Sequence, residues 1–268
     1  MDLQLRGRRA LITGGSKGIG LATAMVLAEE GCDLLLVGRS GAALAEAQQA
    51  LHARYNGRVE IIAADVGAPG AAEQLAADAG HLDILINNAG SIPGGDLLAV
   101  DEPTWRAAWD LKVFGYINLT RAVYRAMAAR RQGTILNVIG MAGERPDGPY
   151  IAGSTGNAAL MAFTRALGGE SVEQGIRVLA VNPGLVATDR LVSLLRPRAA
   201  EVLGDAERWQ ELLDFLPIGR AATPEEIADV VAFMVSERAA YVSGTVVTVD
   251  GGFTGRGNIW GPRPPKRG

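Results

Sequence analysis

Two rhythms alternate along this chain. Short runs of branched and aliphatic residues lie at 10–13, 33–37, 59–63, 84–87, 134–138, 177–181 and 246–249. Longer Ala- and Leu-rich stretches of helical period fall between them, among them 19–30, 42–55, 104–131 and 151–171. Short runs that are apolar at consecutive positions predict strands covered on both faces, as in a parallel sheet flanked by helices. Right-handed crossovers between such strands give a doubly wound α/β fold. No repeat and no linker divides the sequence, so residues 1–268 are expected to form one domain. Two segments stand outside the alternation: an amphipathic, helix-like insertion at 189–216 and a Gly/Pro-rich basic tail at 253–268.

Composition narrows the class. The apolar fraction of 48% supports a large core, and a net charge of −3 gives nucleic acid no electrostatic reason to bind. The opening MDLQLRGRRALITGG lacks the apolar stretch of a secretion signal, and no run reaches the ~18 apolar residues of a membrane span. The single cysteine, Cys32, excludes an intrachain disulfide and suits a reducing compartment. A soluble, cytoplasmic protein with no membrane or nucleic-acid partner is expected. No metal-ligand spacing is visible. His52 and His81 read as surface residues and Cys32 as a small packed one.

The first strand runs directly into Thr13-Gly-Gly-Ser-Lys-Gly-Ile-Gly20, which opens a helix. Gly14, Gly18 and Gly20 permit a tight turn and close backbone approach to a pyrophosphate, and the helix N-terminus supplies amide donors. Ser16, Lys17 and Ile19 belong to the same candidate cofactor turn. A carboxylate at the end of the second strand would accept from a ribose 2′-hydroxyl and repel a 2′-phosphate. That strand instead ends Val37-Gly38-Arg39-Ser40. Lys17, Arg39 and Ser40 together favour NADP(H). The alternative is that Arg39 is a solvated surface charge and NAD(H) is used.

With TGGSKGIG (13–20), ADV (64–66), NNAG (87–90), NPGLVAT (182–188) and VDGG (249–252) in order, nearly the whole chain resembles the short-chain dehydrogenase/reductase family. The resemblance implies a Rossmann fold with a seven-stranded parallel sheet. It places Asp65 and Val66 at the adenine and Asn88, Ala89 and Gly90 under the adenosine ribose. Pro183, Gly184, Val186 and Thr188 would hold the nicotinamide and its carboxamide. It also implies a homodimer or homotetramer packed through the long helices near 104–131 and 151–171.

The family's catalytic residues are a Tyr, a Lys four residues later, a Ser after the fifth strand and an Asn in the preceding long helix. Tyr150 matches the first. Ser154 stands at the Lys position, Gly140 at the Ser and Lys112 at the Asn, and the segment from Gly140 to Tyr150 is a few residues short. An ammonium ~4 Å from a phenol at an effective dielectric of ~20 contributes ~4 kcal/mol, equivalent to up to about 3 pKa units. Without it Tyr150 is a poor base but still an acid toward a carbonyl being reduced. Lys112 either fills the space of the missing lysine, which Ser154 leaves open, or snorkels to solvent. Asn157 reads as a helix-surface amide and Asn137 as a strand-end residue making backbone contacts.

The insertion follows the nicotinamide loop and is expected to form a substrate lid. Leu191, Val192, Leu194 and Leu195 offer it an apolar wall, and Arg190, Arg196 and Arg198 offer cations. The favoured function is an NADP(H)-dependent oxidoreductase, acting mainly as a reductase, that interconverts a carbonyl and an alcohol on a small, largely apolar substrate. Two alternatives stay open. One is an NADP(H)-binding regulatory subunit. The other is a lyase or dehydratase that keeps Tyr150 as its acid–base.

Overall fold

The computed structural model describes residues 1–256, so most of the tail expected at 253–268 lies outside the described residues. Seven strands form one all-parallel sheet: β1 (Arg9–Thr13), β2 (Asp33–Gly38), β3 (Val59–Ala63), β4 (Ile84–Asn87), β5 (Gly133–Val138), β6 (Ile176–Pro183) and β7 (Val246–Val249). Their order is β3-β2-β1-β4-β5-β6-β7. Each run predicted from aliphatic residues became a strand, because a parallel sheet buried on both faces needs apolar side chains at odd and even positions alike.

Eight α-helices accompany the sheet: α1 (Gly18–Glu29), α2 (Gly41–His52), α3 (Ala71–Ala79), α4 (Glu102–Trp109), α5 (Gly115–Arg130), α6 (Ile151–Glu170), α7 (Asp189–Leu203) and α8 (Pro224–Val235) among the described residues. One core layer joins α1, α2 and α8 to the sheet through Leu27, Leu44, Leu51, Ile227 and Val231. The opposite layer packs α3 and α5 through Leu75, Leu119, Val123 and Met127. α8 begins at a reciprocal cap: Glu226 N–H donates to Thr223 Oγ1 at 3.3 Å, and Thr223 N–H donates to a Glu226 carboxylate oxygen at 2.8 Å.

The single helix expected over 104–131 is broken. A π-helical turn, Asp110–Phe114, separates α4 from α5. Such a turn carries one residue more than an α-turn and swings the following side chains around the axis. Trp109 pins it, donating its indole N–H to Ala152 O at 3.0 Å. The insertion is helical as expected, with α7 followed by 3₁₀ turns at Ala206–Leu213.

Candidate active site

Successive strands run outward to one side of β1 and to the other side of β4, so the crevice at their carboxyl ends is the place this topology offers a ligand. The Gly-rich turn lies there. A Cβ on Gly20 would sit 2.2 Å from Gly14 O and 2.6 Å from Asn88 Nδ2, so no larger residue fits this approach. Asn88 closes the turn from the β4 side, its amide donating to Thr13 O (3.0 Å) and Gly14 O (3.3 Å). Thr13 Oγ1 accepts from the backbone N–H groups of Asn88 and Ala89 at 2.9 and 3.0 Å. Lys17, the residue before α1, gives it no side-chain cap, leaving the first amides of the helix to an anion. The geometry fits a dinucleotide pyrophosphate.

The other residues assigned to the cofactor surround this crevice in different ways. Lys17 and Arg39 are exposed and form no ion pair among the described residues. Ser40 also caps α2, its hydroxyl accepting from Ala43 N–H at 3.3 Å. Ser16 is half-buried, and its hydroxyl lies near Gly38 at the end of β2. Ile19 packs against the core. An Asp65 carboxylate oxygen accepts from Gly67 N–H at 3.0 Å, and Val66 is buried. The loop after Pro183 and Gly184 buries Val186 and brings the Thr188 methyl 3.1 Å from where a Cβ on Gly18 would lie. The Thr188 hydroxyl makes no cap bond to α7.

The catalytic candidates are arranged otherwise than the sequence suggested. Tyr150 is the residue before α6, with φ −133° and ψ 39°, and its ring folds back over Gly153. A Cβ on Gly153 would lie 2.0 Å from two ring carbons, so the ring occupies the space that a side chain at 153 would claim. Ile92, Trp105, Ala108 and Ala152 enclose the rest of it. Burial holds the phenol above its ordinary range, partly opposed by the Arg190 guanidinium. The cation whose field reaches that phenol is Arg190, from the first turn of α7, which donates to the carbonyl of Ile92, a residue packed with the Tyr150 ring.

Lys112 does turn inward and does not snorkel. Its stem runs along Gly90, where a Cβ would meet its Cδ at 2.7 Å. The ammonium donates to Ile139 O at 2.6 Å and lies 5.9 Å from the centre of the Tyr116 ring. Burial, with a smaller repulsion from Arg190, lowers its pKa to about 8.

Ser154 is committed elsewhere. Its hydroxyl accepts from Asp147 N–H at 2.9 Å and donates to Asp147 O at 3.2 Å, tying the 144–149 loop to α6. The polar side chain that α6 turns toward Gly140 is Asn157, whose Nδ2 lies 3.0 Å from where a Cβ on Gly140 would be. Asn157 is 3% exposed, not a surface amide, and its Oδ1 has no hydrogen-bond partner. Asn137 also departs from expectation, for it makes side-chain rather than backbone contacts. It accepts from Asn87 Nδ2 (2.9 Å) and donates to Thr164 Oγ1 (2.9 Å), while Asn87 also donates to Thr120 (3.1 Å). This buried chain spans α5, β4, β5 and α6 beneath the crevice. The only sequence signal for it was Asn at two adjacent strand ends.

The expected apolar wall of the insertion divides. Leu191 and Leu195 pack with Leu213, Leu216 and Trp209, whereas Leu194 is exposed. Arg196 pairs with Glu207, and Arg190 donates to Ile92 O at 2.7 Å. Cys32 is buried, which pushes its thiol up to about 12. Among the described residues no cluster of three metal-binding side chains occurs and no helix is long and apolar enough to cross a membrane.

Crevice, glycine turn and strand order together define a dinucleotide-binding scaffold, and comparison with known proteins gives its chemistry. The family profile for enoyl-(acyl carrier protein) reductase matches residues 14–254. Galactitol 2-dehydrogenase (L-tagatose-forming) of Cereibacter sphaeroides is 37% identical over 253 residues, covering 94% of this chain and 96% of that protein. The 3-oxoacyl-[acyl-carrier-protein] reductase FabG of Escherichia coli is 30% identical over 251 residues, covering 94% and 99%. The structure of L-sorbose reductase from Gluconobacter frateurii, complexed with NADPH and L-sorbose, superposes with a TM-score of 0.89 at 34% identity, covering 96% of this chain and 100% of that one. The chain belongs to the short-chain dehydrogenase/reductase family of oxidoreductases.

Proposed function

We propose that this protein is an NADP(H)-dependent carbonyl reductase in which Tyr150 donates the proton. The observation that carries the reading is the Tyr150 ring enclosed by Ile92, Trp105, Ala108 and Ala152 over the first turn of α6, with its phenol kept protonated by burial. Burial keeps the phenol in the protonated form that a proton donor needs, and Arg190 opposes the upward shift that would weaken it as an acid. NADPH supplies the hydride. Gly14, Gly18, Gly20 and the first amides of α1 would hold its pyrophosphate, and Asn88, Ala89 and Gly90 its adenosine. Lys17 and Arg39 would face the 2′-phosphate, and Pro183 to Thr188 the nicotinamide. NADPH in the sorbose reductase complex supports this choice over NAD(H).

Lys112 and Asn157 take the remaining roles. The family's Asn and Lys are both present as residue types, but each stands on the other's helix. Ile139 takes one of the three ammonium donors of Lys112, which leaves others for a ribose hydroxyl or the substrate oxygen. The free Oδ1 of Asn157 would accept from a ligand hydroxyl or an ordered water. α7 and the turns after it serve as the lid. A small-molecule substrate, and two or four copies joined through α5 and α6, belong to the same reading.

A second reading, a cofactor-binding subunit without turnover, is favoured by one observation: Gly140 brings no hydroxyl to the strand end. The test is NADPH oxidation with a panel of ketoses, simple ketones and 3-oxoacyl thioesters. Turnover that falls at least ~10²-fold in Tyr150→Phe is the expected result. NADPH binding with no oxidation by any member of the panel selects the second reading.

A further inference from the structure

Two cations close on one short segment of the crevice, and neither forms an ion pair among the described residues. The Lys112 stem lies along Gly90 and its ammonium ends at Ile139 O. Arg190 reaches from the start of α7 to Ile92 O at 2.7 Å. Gly90-Ser91-Ile92 carries no charge. The carboxylate of Asp96, the next acid along the chain, accepts from the amides of Leu98 and Ala99 at 3.0 and 2.9 Å. The contrast with other arginines of the same region is sharp. Arg196 pairs with Glu207, Arg208 with Glu211 and Arg220 with Glu226. Arg190 and Lys112 form no ion pair among the described residues, although each lies within the other's field.

Two like charges in a partly buried crevice repel and lose hydration, and a negative group between them relieves both costs. Arg190 is held on the carbonyl of Ile92, and Ile92 packs with the Tyr150 ring. That negative group would therefore lie on the Tyr150 side of the crevice, near the carbonyl that receives the proton. We propose that Arg190 and Lys112 form an anion subsite, and that the physiological substrate is a carbonyl compound bearing a carboxylate or phosphate close to its carbonyl. This rests on the reductase reading above and sharpens it from small carbonyl compounds to anionic ones. Arg190 is the specificity residue of the pair, because it comes from the first turn of α7, the segment after the nicotinamide loop, whereas Lys112 also lies along the cofactor-side Gly90.

The test uses matched pairs with the full-length protein: 3-oxobutanoate against its methyl ester, and 2-keto-L-gulonate against L-sorbose. At low salt the acid of at least one pair is expected to show a kcat/KM ten-fold or more above its neutral partner. Arg190→Gln should bring that ratio toward one, mainly through KM, and Arg190→Lys should restore part of it. Added salt should shrink the wild-type ratio in the same way. Any effect of Arg190 on the phenol changes both members of a pair equally, so the ratio isolates the subsite. Equal rates for acid and neutral partner overturn the proposal. So does an Arg190→Gln variant that binds NADPH more weakly, since the anion would then be a cofactor phosphate. If nothing in the panel is reduced, the protein is saturated with NADP⁺ and titrated with malonate, with Trp105 and Trp109 fluorescence as the reporter. A saturable, salt-sensitive change absent from Arg190→Gln supports the subsite while the reductase reading fails. No saturable change removes the subsite as well.

Discussion

Lys112 is a charge kept where the protein makes little provision for it, and that has a measurable sign. Burial lowers its pKa from 10.5 to about 8, so between those values the unfolded chain holds a proton that the folded protein has released. Stability therefore rises with pH through that window, and the full cost of the ammonium is felt below it. Lys112→Met is expected to raise stability at pH 7 by about 1–3 kcal/mol. Thermal melts should show that gain shrinking as pH rises from about 8 to 10.5, with no further change above. The same variant should lose turnover, together with any inflection of the pH–rate profile near 8. Sequence reading singled out Lys112 and Tyr150 but misplaced their partners. Counting four residues from Tyr150 presumed that it lies inside the helix. Its extended φ marks it as the flanking residue, and its side chain leaves at a different angle from those that follow. The count consequently arrived at Ser154, which serves the loop, and passed over Asn157, which faces the strand end.

At the scale of elements, the strands were legible because their burial on both faces writes an unbroken apolar run. The break between α4 and α5 was not. A π-turn leaves no compositional mark in DLKVF, yet it is where Lys112 turns toward Gly90 while Phe114 stays exposed. The loop before α6 offers a separate test. Ser154 is the side chain that receives Asp147 N–H, and its removal leaves that donor without a partner. Ser154→Ala is expected to cost about 1–2 kcal/mol by chemical denaturation, with NADPH affinity kept. A variant that keeps full stability and loses turnover would return Ser154 to the chemistry.

For the molecule as a whole, the crevice ties folding to the cofactor. The Gly-rich turn, Asn88 and the loop carrying Thr188 come from three distant parts of the chain, so a ligand bridging them stabilises only the folded state. NADPH at 100 times its Kd should add about 2.7 kcal/mol, seen as a rise in Tm. NADH at equal concentration should add less. Arg39→Asp should reverse that order, by removing a cation and repelling the 2′-phosphate. Equal shifts from both cofactors in the unaltered protein would rule out 2′-phosphate recognition at Arg39. The cofactor half of the site was readable because backbone approach demands glycine at fixed spacing. The substrate half was not, because the convergence of Arg190, Ile92 and Tyr150 spans long loops that no local pattern encodes.

The ring over Gly153 also limits what can stand at that position. An aromatic residue at 153 and the present ring of Tyr150 would claim one volume, so the two placements exclude each other. Gly153→Tyr alone crowds two rings together, and losing Tyr150 first leaves no phenol at all. A side chain at 153 therefore requires the Tyr150 ring to leave its present place, and Gly153→Ala is the smallest change that would displace it.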